Sequence, residues 1–298
     1  MPESFKSQLE SQYQTLLAHY FMGFPMQDYF TLIGLKDQAF VIALDSPDVD
    51  IKILSHFDIG IKSYQTFLSD VPPPFPGVSQ NLRIARVSYT QYHNDQEFHA
   101  CMDKLPAEAQ DRIYQTLKVE FPELDFHQYK TFVCNLNAQF VDSLSEERLT
   151  WALSMIYRAK SRDSCQWIMK KNEQWQEEKG IVPSLQIVLA WKNTPKFHFL
   201  YRLAKVIFRH NLKILYVNTS YVQDVDKNSN IFVLSLGLHG IDNVAAWEAA
   251  DLDNFQRELV LVNYFREDDI FETIFLQNQL LSGNALHFLR SARTFVHQ

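Results

Sequence analysis

The sequence predicts an α+β chain built around an antiparallel βαββαβ module, preceded and followed by helical segments. Three observations carry this. Residues 184–191 and 212–219 are apolar runs of strand length, separated by the amphipathic stretch 196–210. A polar turn over 223–230 leads into a third apolar run, 231–238. Upstream and downstream, apolar residues recur at helical spacing, as in Leu9, Tyr13, Leu16, Leu17 and Tyr20.

The remaining elements read as follows. Ser4 caps a first helix, and Met22-Gly23-Phe24-Pro25 ends it. Residues 27–44 are expected to be helical with a break near Gly34, and 48–68 to carry another helix. The run Val71-Pro-Pro-Pro-Phe-Pro-Gly77 cannot continue a helix and marks a boundary. Residues 81–91 alternate as a strand does, 97–104 and 107–120 are helical, and 129–136 is strand-like. Residues 144–178 form one long or broken helix that starts at Ser145 with Glu146 and Glu147 in its first turn and stops at Gly180. Residues 244–250 are helical. Residues 251–265 fit a helix, and 259–265 alone also fits a fourth strand; helix is the preferred reading. Helices over 269–279 and 284–298 close the chain. The expected organisation is a helical segment at 1–77, an α/β segment at 78–180, the βαββαβ module at 181–265 and a helical linker at 266–298. Residues 78–180 read either as a second, degenerate copy of the module or as an irregular α/β segment.

Composition narrows the function classes. The 298 residues are 46% hydrophobic, enough for sizeable cores, and carry a formal charge of −7. With 28 basic residues scattered among 35 acidic ones, the basic footprint of a nucleic-acid binder is missing. Cys101, Cys134 and Cys165 are widely spaced and form no CxxC pair, which fits reduced thiols in the cytoplasm. The first residues lack the apolar core of a signal peptide, and no window approaches a membrane span. The chain ends within a helical pattern, as an N-terminal fragment of a longer protein would.

Catalytic chemistry has little to rest on. There is no GxxxxGK[ST], GxGxxG or GxSxG. Gly237-Leu-His-Gly240 reads as a turn at a strand end. His93 and His99 lack convergent partners for a metal, and His127, His210, His239, His287 and His297 stand alone. His210, near a helix end, suits the negative pole of the helix dipole. Cys165 reads as a packing residue within a helix. The loop from Lys192 through Asn193 and Thr194 to Pro195 is the exception. It joins an apolar strand to a helix N-terminus, where free backbone N–H groups favour a carboxylate. Asn193, Thr194, Pro195, Lys196 and His198 are the candidate effector-binding residues, with helix capping as the structural alternative for Asn193 and Thr194. Catalytic, cofactor and metal residues are expected to be absent.

Strand–loop–helix–strand–strand with this loop resembles the ACT domain, a ferredoxin-like amino-acid sensor. Longer runs resemble the N-terminal region of large NAD-dependent glutamate dehydrogenases: Phe140-Val-Asp-Ser-Leu-Ser-Glu-Glu-Arg-Leu149, Tyr157-Arg-Ala-Lys-Ser-Arg-Asp-Ser-Cys-Gln-Trp167, Pro183-Ser-Leu-Gln-Ile-Val-Leu-Ala-Trp-Lys-Asn-Thr-Pro-Lys196, Phe199-Leu-Tyr-Arg-Leu-Ala-Lys-Val206 and Leu281-Ser-Gly-Asn-Ala-Leu286. The resemblance is strongest from residue 140 onward. It implies a non-catalytic regulatory and oligomerisation region, joined to a downstream catalytic region that binds NAD and deaminates glutamate to 2-oxoglutarate. It also implies a homo-oligomer and an amino-acid effector, with no nucleic acid and no membrane. ACT domains carry Gly after the loop proline; here Lys196 stands there, placed either to pair with a carboxylate or to fill the pocket. The alternative is a structural interaction module without a ligand.

Overall fold

The computed structural model describes residues 29–33, 38–57, 61–69, 72, 78–89, 105–174, 183–194, 199–224, 229–241, 244–262, 285 and 288. Its centre is one eight-stranded sheet, every neighbouring pair antiparallel. The strands are β1 (Tyr29–Ile33), β2 (Gln38–Leu44), β3 (Ile61–Leu68), β4 (Leu82–Tyr89), β5 (Gln166–Asn172), β6 (Ser184–Lys192), β7 (Leu212–Asp224) and β8 (Ser229–Gly240). They lie in the order β1-β2-β4-β3-β7-β8-β6-β5.

Helices cover both faces. One face carries α1 (Val49–Leu54), α6 (Phe199–Arg209), α7 (Ala246–Ala249) and α8 (Leu252–Leu261). The other carries α2 (Ala107–Glu120), α3 (Phe126–Asn135), α4 (Ala138–Ser143) and α5 (Glu146–Ser161). Alternation along β6 shows why. Leu185, Ile187, Leu189 and Trp191 enter the core under α6, while Val188 and Ala190 enter the core under α5. A central strand buried on both faces must be apolar almost throughout, as β6 is.

Local chemistry fixes the helix starts. Ser145 accepts the Arg148 N–H, and Glu146 and Glu147 sit in the first turn of α5, as expected from the sequence. Asp125 and Gln128 form a reciprocal capping box on α3. Asp251 accepts from the Asp253 and Asn254 N–H groups at the start of α8.

The sheet divides into two halves of like construction. Residues 29–89 run β1-β2-α1-β3-β4, and residues 166–240 run β5-β6-α6-β7-β8. Read from the outer edge inward, the strand orders are β1-β2-β4-β3 and β5-β6-β8-β7. The halves meet where β3 pairs with β7, through Ser63↔Asn218, Tyr64↔Val217 and Gln65↔Tyr216. Individual bonds repeat across this seam. Thr66 Oγ1 donates to the Ile214 carbonyl at 2.7 Å, and Thr219 Oγ1 donates to the Ile61 carbonyl at 2.7 Å. The Asp45 N–H donates to the Asn81 carbonyl at 2.8 Å, and the Asn193 N–H donates to the Asn230 carbonyl at 2.8 Å. The halves are therefore related by a pseudo-twofold axis that places Asp45 and Ser46 where Asn193 and Thr194 stand.

Several sequence expectations are corrected. Residues 27–44, expected to be helical, hold β1 and β2, and 48–68 is helical only over α1 before β3 begins. The segment 1–77 is thus not purely helical. Residues 129–136, expected to be a strand, lie largely in α3, whose capping box overrides the apolar run Phe132-Val133-Cys134. The long helix at 144–178 stops at Ser161, and its second part is the edge strand β5; Cys165 therefore precedes a strand instead of sitting in a helix. Gly237-Leu-His-Gly240 lies within β8 and is no turn. Gly237 is required by packing, because a Cβ there would stand 2.3 Å from the Tyr216 ring. The Pro-rich run falls between β3 and β4, two strands that pair. The repeated unit is 29–89, in place of a degenerate module within 78–180. Residues 252–261 are helical, and position four beside β6 belongs to β5, which precedes it in the chain. The expected first helix, the 97–104 helix and the 269–279 helix lie outside the described residues.

Candidate functional site

Two corners, each between a strand and the following helix, are the places where polar groups gather at the end of an apolar sheet. The second-half corner is the one the sequence points to. Asn193 is exposed and has a positive φ of 54°, a conformation asparagine tolerates better than most side chains. Thr194 is only 6% exposed, and its Oγ1 has no hydrogen-bond partner. An orphaned buried hydroxyl costs about 1–3 kcal/mol unless something meets it. Pro195, Lys196 and His198 lie outside the described residues, so Asn193 and Thr194 are the two expected residues the structure brings together.

Sequence reading missed the surroundings of this corner. Trp191, the last core residue before it, is fully buried, and its Nε1–H has no acceptor. Its ring meets Phe199 edge-on at 5.2 Å and stacks with Phe232 at 6.3 Å; Tyr221 lies 4.7 Å from Phe232. The guanidinium of Arg202, itself buried, stands 5.8 Å from the Phe199 ring centroid. Lys192 Nζ reaches Asp163 at 3.6 Å. Beside the corner hydroxyl the core therefore holds an aromatic cluster with an indole N–H and, against Phe199, a buried cation; side chains of these types suit a carboxylate attached to an apolar group.

The first-half corner is more strongly charged. The Asp45 carboxylate accepts from Arg83 Nε at 3.0 Å and lies 2.9 Å from Arg83 Nη2. It also accepts from Lys213 Nζ at 2.9 and 3.1 Å. Arg83 Nη1 continues to Thr66 Oγ1 at 3.1 Å. Behind them, Asp50 accepts from Tyr64 Oη at 2.7 Å and from the Ile214 N–H at 3.1 Å, where β7 bulges. Burial and the neighbouring Asp50 carboxylate push the Tyr64 hydroxyl well up, so it stays a donor. His239 completes the cluster at 4% exposure. It lies near the Gly240 backbone, yet neither ring nitrogen reaches hydrogen-bond geometry. Burial, then the Arg83 and Lys213 charges, lower its pKa to about 4, so it is neutral at pH 7. A hollow of about 140 Å³ opens beside Asp45, lined also by Ser46, Lys52, Gln80, Val49 and Ile53.

Two other sequence candidates, His210 and Cys165, have structural roles; His93, His99, His287 and His297 lie outside the described residues. His210 follows α6 and stands 3.2 Å from Glu258, which also holds Arg209 at 3.2 Å. Cys165 packs against the core under α6, and burial pushes its thiol up. Among the described residues no group of three or more His, Cys, Asp or Glu side chains is placed to hold a metal ion. No described helix is long and apolar enough to cross a membrane. No protein-family model matches the sequence, and no curated protein matches it either.

Proposed function

We propose that this chain is the regulatory and assembly region of a large NAD-dependent glutamate dehydrogenase, and that it takes an amino-acid effector at the second-half corner. The observation that carries the reading is Thr194. It has a buried hydroxyl without a partner, beside a left-handed Asn193, at the strand-to-helix corner where an ACT-like module receives its effector. The order β7-β8-β6 supports an ACT-like arrangement, because β8 lies between the other two and α6 crosses from β6 to β7. Two departures qualify the likeness: β5 supplies the fourth strand from upstream, and α5 lies on the face opposite α6. On this reading NAD and the glutamate-deaminating residues belong to a catalytic region continuing after Gln298, and the chain works in the cytoplasm as part of a homo-oligomer.

The test is a thermal-shift panel of glutamate, other amino acids, 2-oxoglutarate and nucleotides on the protein and on its Thr194→Val variant. A ligand at about 100 times its dissociation constant adds about 2.7 kcal/mol, which reads as several degrees. Valine matches the shape of threonine and removes only the orphaned hydroxyl, so it leaves the unliganded melting temperature unchanged or higher. One amino acid should shift the parent protein and fail to shift the variant. A flat panel, or a transcript that stops without a dehydrogenase region, overturns the reading. A second reading, an assembly module without a ligand, draws on the outer edge of β5, which among the described residues pairs with β6 alone and shows Trp167 at 36% exposure. It predicts a concentration-dependent dimer in sedimentation that amino acids leave unchanged.

A further inference from the structure

We infer that the first-half corner is a latent site for a small oxyanion, a carboxylate or phosphate, which Asp45 fills from within. The inference stands independently of the reading of the other corner. It starts from an imbalance. Arg83 and Lys213 are 3% and 6% exposed, and both hydrogen-bond the one Asp45 carboxylate. That carboxylate is the most exposed charged group of the cluster: its side chain is 19% exposed and lines the 140 Å³ hollow. The second carboxylate, Asp50, is committed to the Tyr64 hydroxyl and the Ile214 N–H. Behind Asp45, His239 is buried with both ring nitrogens lacking a hydrogen-bond partner. Two buried cations, close to a buried imidazole, therefore share one carboxylate, and that carboxylate is the partly exposed one.

The pseudo-twofold shows what this arrangement replaces. At the equivalent position of the other corner stands Asn193, a neutral amide that is exposed. The backbone N–H of each residue is tied to an equivalent carbonyl, Asn81 for Asp45 and Asn230 for Asn193. The two corners thus share a main-chain frame and differ in what the first loop residue delivers. Because its backbone is held, Asp45 can leave the cations only by rotating its side chain into the hollow beside it. That rotation opens a place with two buried cations, bounded by the Thr66 hydroxyl that Arg83 already contacts.

The Asp45→Asn variant makes the first corner resemble the second and removes the internal anion. Its melting temperature is read against inorganic phosphate and, separately, against acetate, with chloride holding ionic strength constant. Asp45→Asn should bind at least one of these about tenfold or more tightly than the parent protein, and the stronger of the two names the class. Where the variant folds poorly by itself, the same anion should restore its folded signal on refolding. Adding Lys213→Met in the same chain should abolish the response. An Asp45→Asn protein that neither anion stabilises or rescues overturns the inference. So does a response that survives Lys213→Met, because it is then general salt stabilisation.

Discussion

Acidification should destabilise this protein through His239, whose buried ring resists protonation. The ring is buried, with the Arg83 and Lys213 charges acting on it, and its pKa is lowered from 6.5 to about 4. The unfolded chain takes up a proton at this position below about pH 6.5, whereas the folded chain does so only near pH 4. Stability associated with the neutral ring is therefore complete above pH 6.5 and is lost as pH falls toward 4. A separation of about 2.5 pH units at 1.36 kcal/mol per unit is worth about 3 kcal/mol, of which about 2–3 kcal/mol is gone by pH 4.5. Urea unfolding curves at pH 7.5, 6, 5 and 4.5 measure this directly. Replacing His239 by Gln removes the titrating group while retaining polarity. The variant should lose less stability than the parent protein over the same pH range, by about 2–3 kcal/mol. Parallel pH profiles for the two proteins would refute the reasoning, because carboxylates common to both would then account for the whole slope.

Three further outcomes follow from contacts described above. Gly237→Ala places a methyl group against the Tyr216 ring, at 2.3 Å without relaxation. It should cost about 1–3 kcal/mol in urea unfolding, and less in a Tyr216→Leu background; equal costs in both would remove this contact as the cause. Thr219→Val loses the hydroxyl that donates to the Ile61 carbonyl and should cost about 1 kcal/mol. Thr66→Val should cost more, because Thr66 also accepts from Arg83, and denaturant midpoints in the reverse order would contradict this. Glu258→Gln withdraws the buried carboxylate that faces Arg209 and His210 and should cost about 3 kcal/mol. An unchanged midpoint would mean that the site is solvated.

The sequence made some of this architecture legible. Ser145 with its two glutamates announced α5, and the apolar runs around 184–238 announced β6, α6, β7 and β8 in order. The misses have physical causes. β5, Gln166–Asn172, is an edge strand with Lys170 and Lys171 on it, so its alternation is weak and helical spacing fits as well. Those lysines are held by contacts invisible in one dimension: Lys170 by Glu147 and the Trp151 ring, Lys171 over the Trp247 ring. For α3, Asp125 and Gln128 were the available signal, and the adjacent apolar triplet masked it. The repeat escaped notice because Asp45-Ser46 and Asn193-Thr194 match in kind and not in identity. Only strand pairing aligns them. The charged corner was hidden for a related reason: Arg83 and Lys213 sit in strands where alternation suggests solvent-facing positions, yet both are buried at the sheet end.

The pseudo-twofold has a consequence for how such a molecule changes over generations. In a dimer of identical chains every substitution is made twice, so neither corner can differ from the other. Here the halves are covalently joined, and one codon alters one corner. A carboxylate at Asp45 and an amide at Asn193 are thus independent settings within a shared frame. The seam also keeps the two in mechanical register, since Thr66 reaches the strand that carries Lys213 and Thr219 reaches back to the start of β3. Whatever alters the strand end at one corner pulls on a bond anchored in the opposite half, and thermodynamic linkage requires that pull to act equally in return.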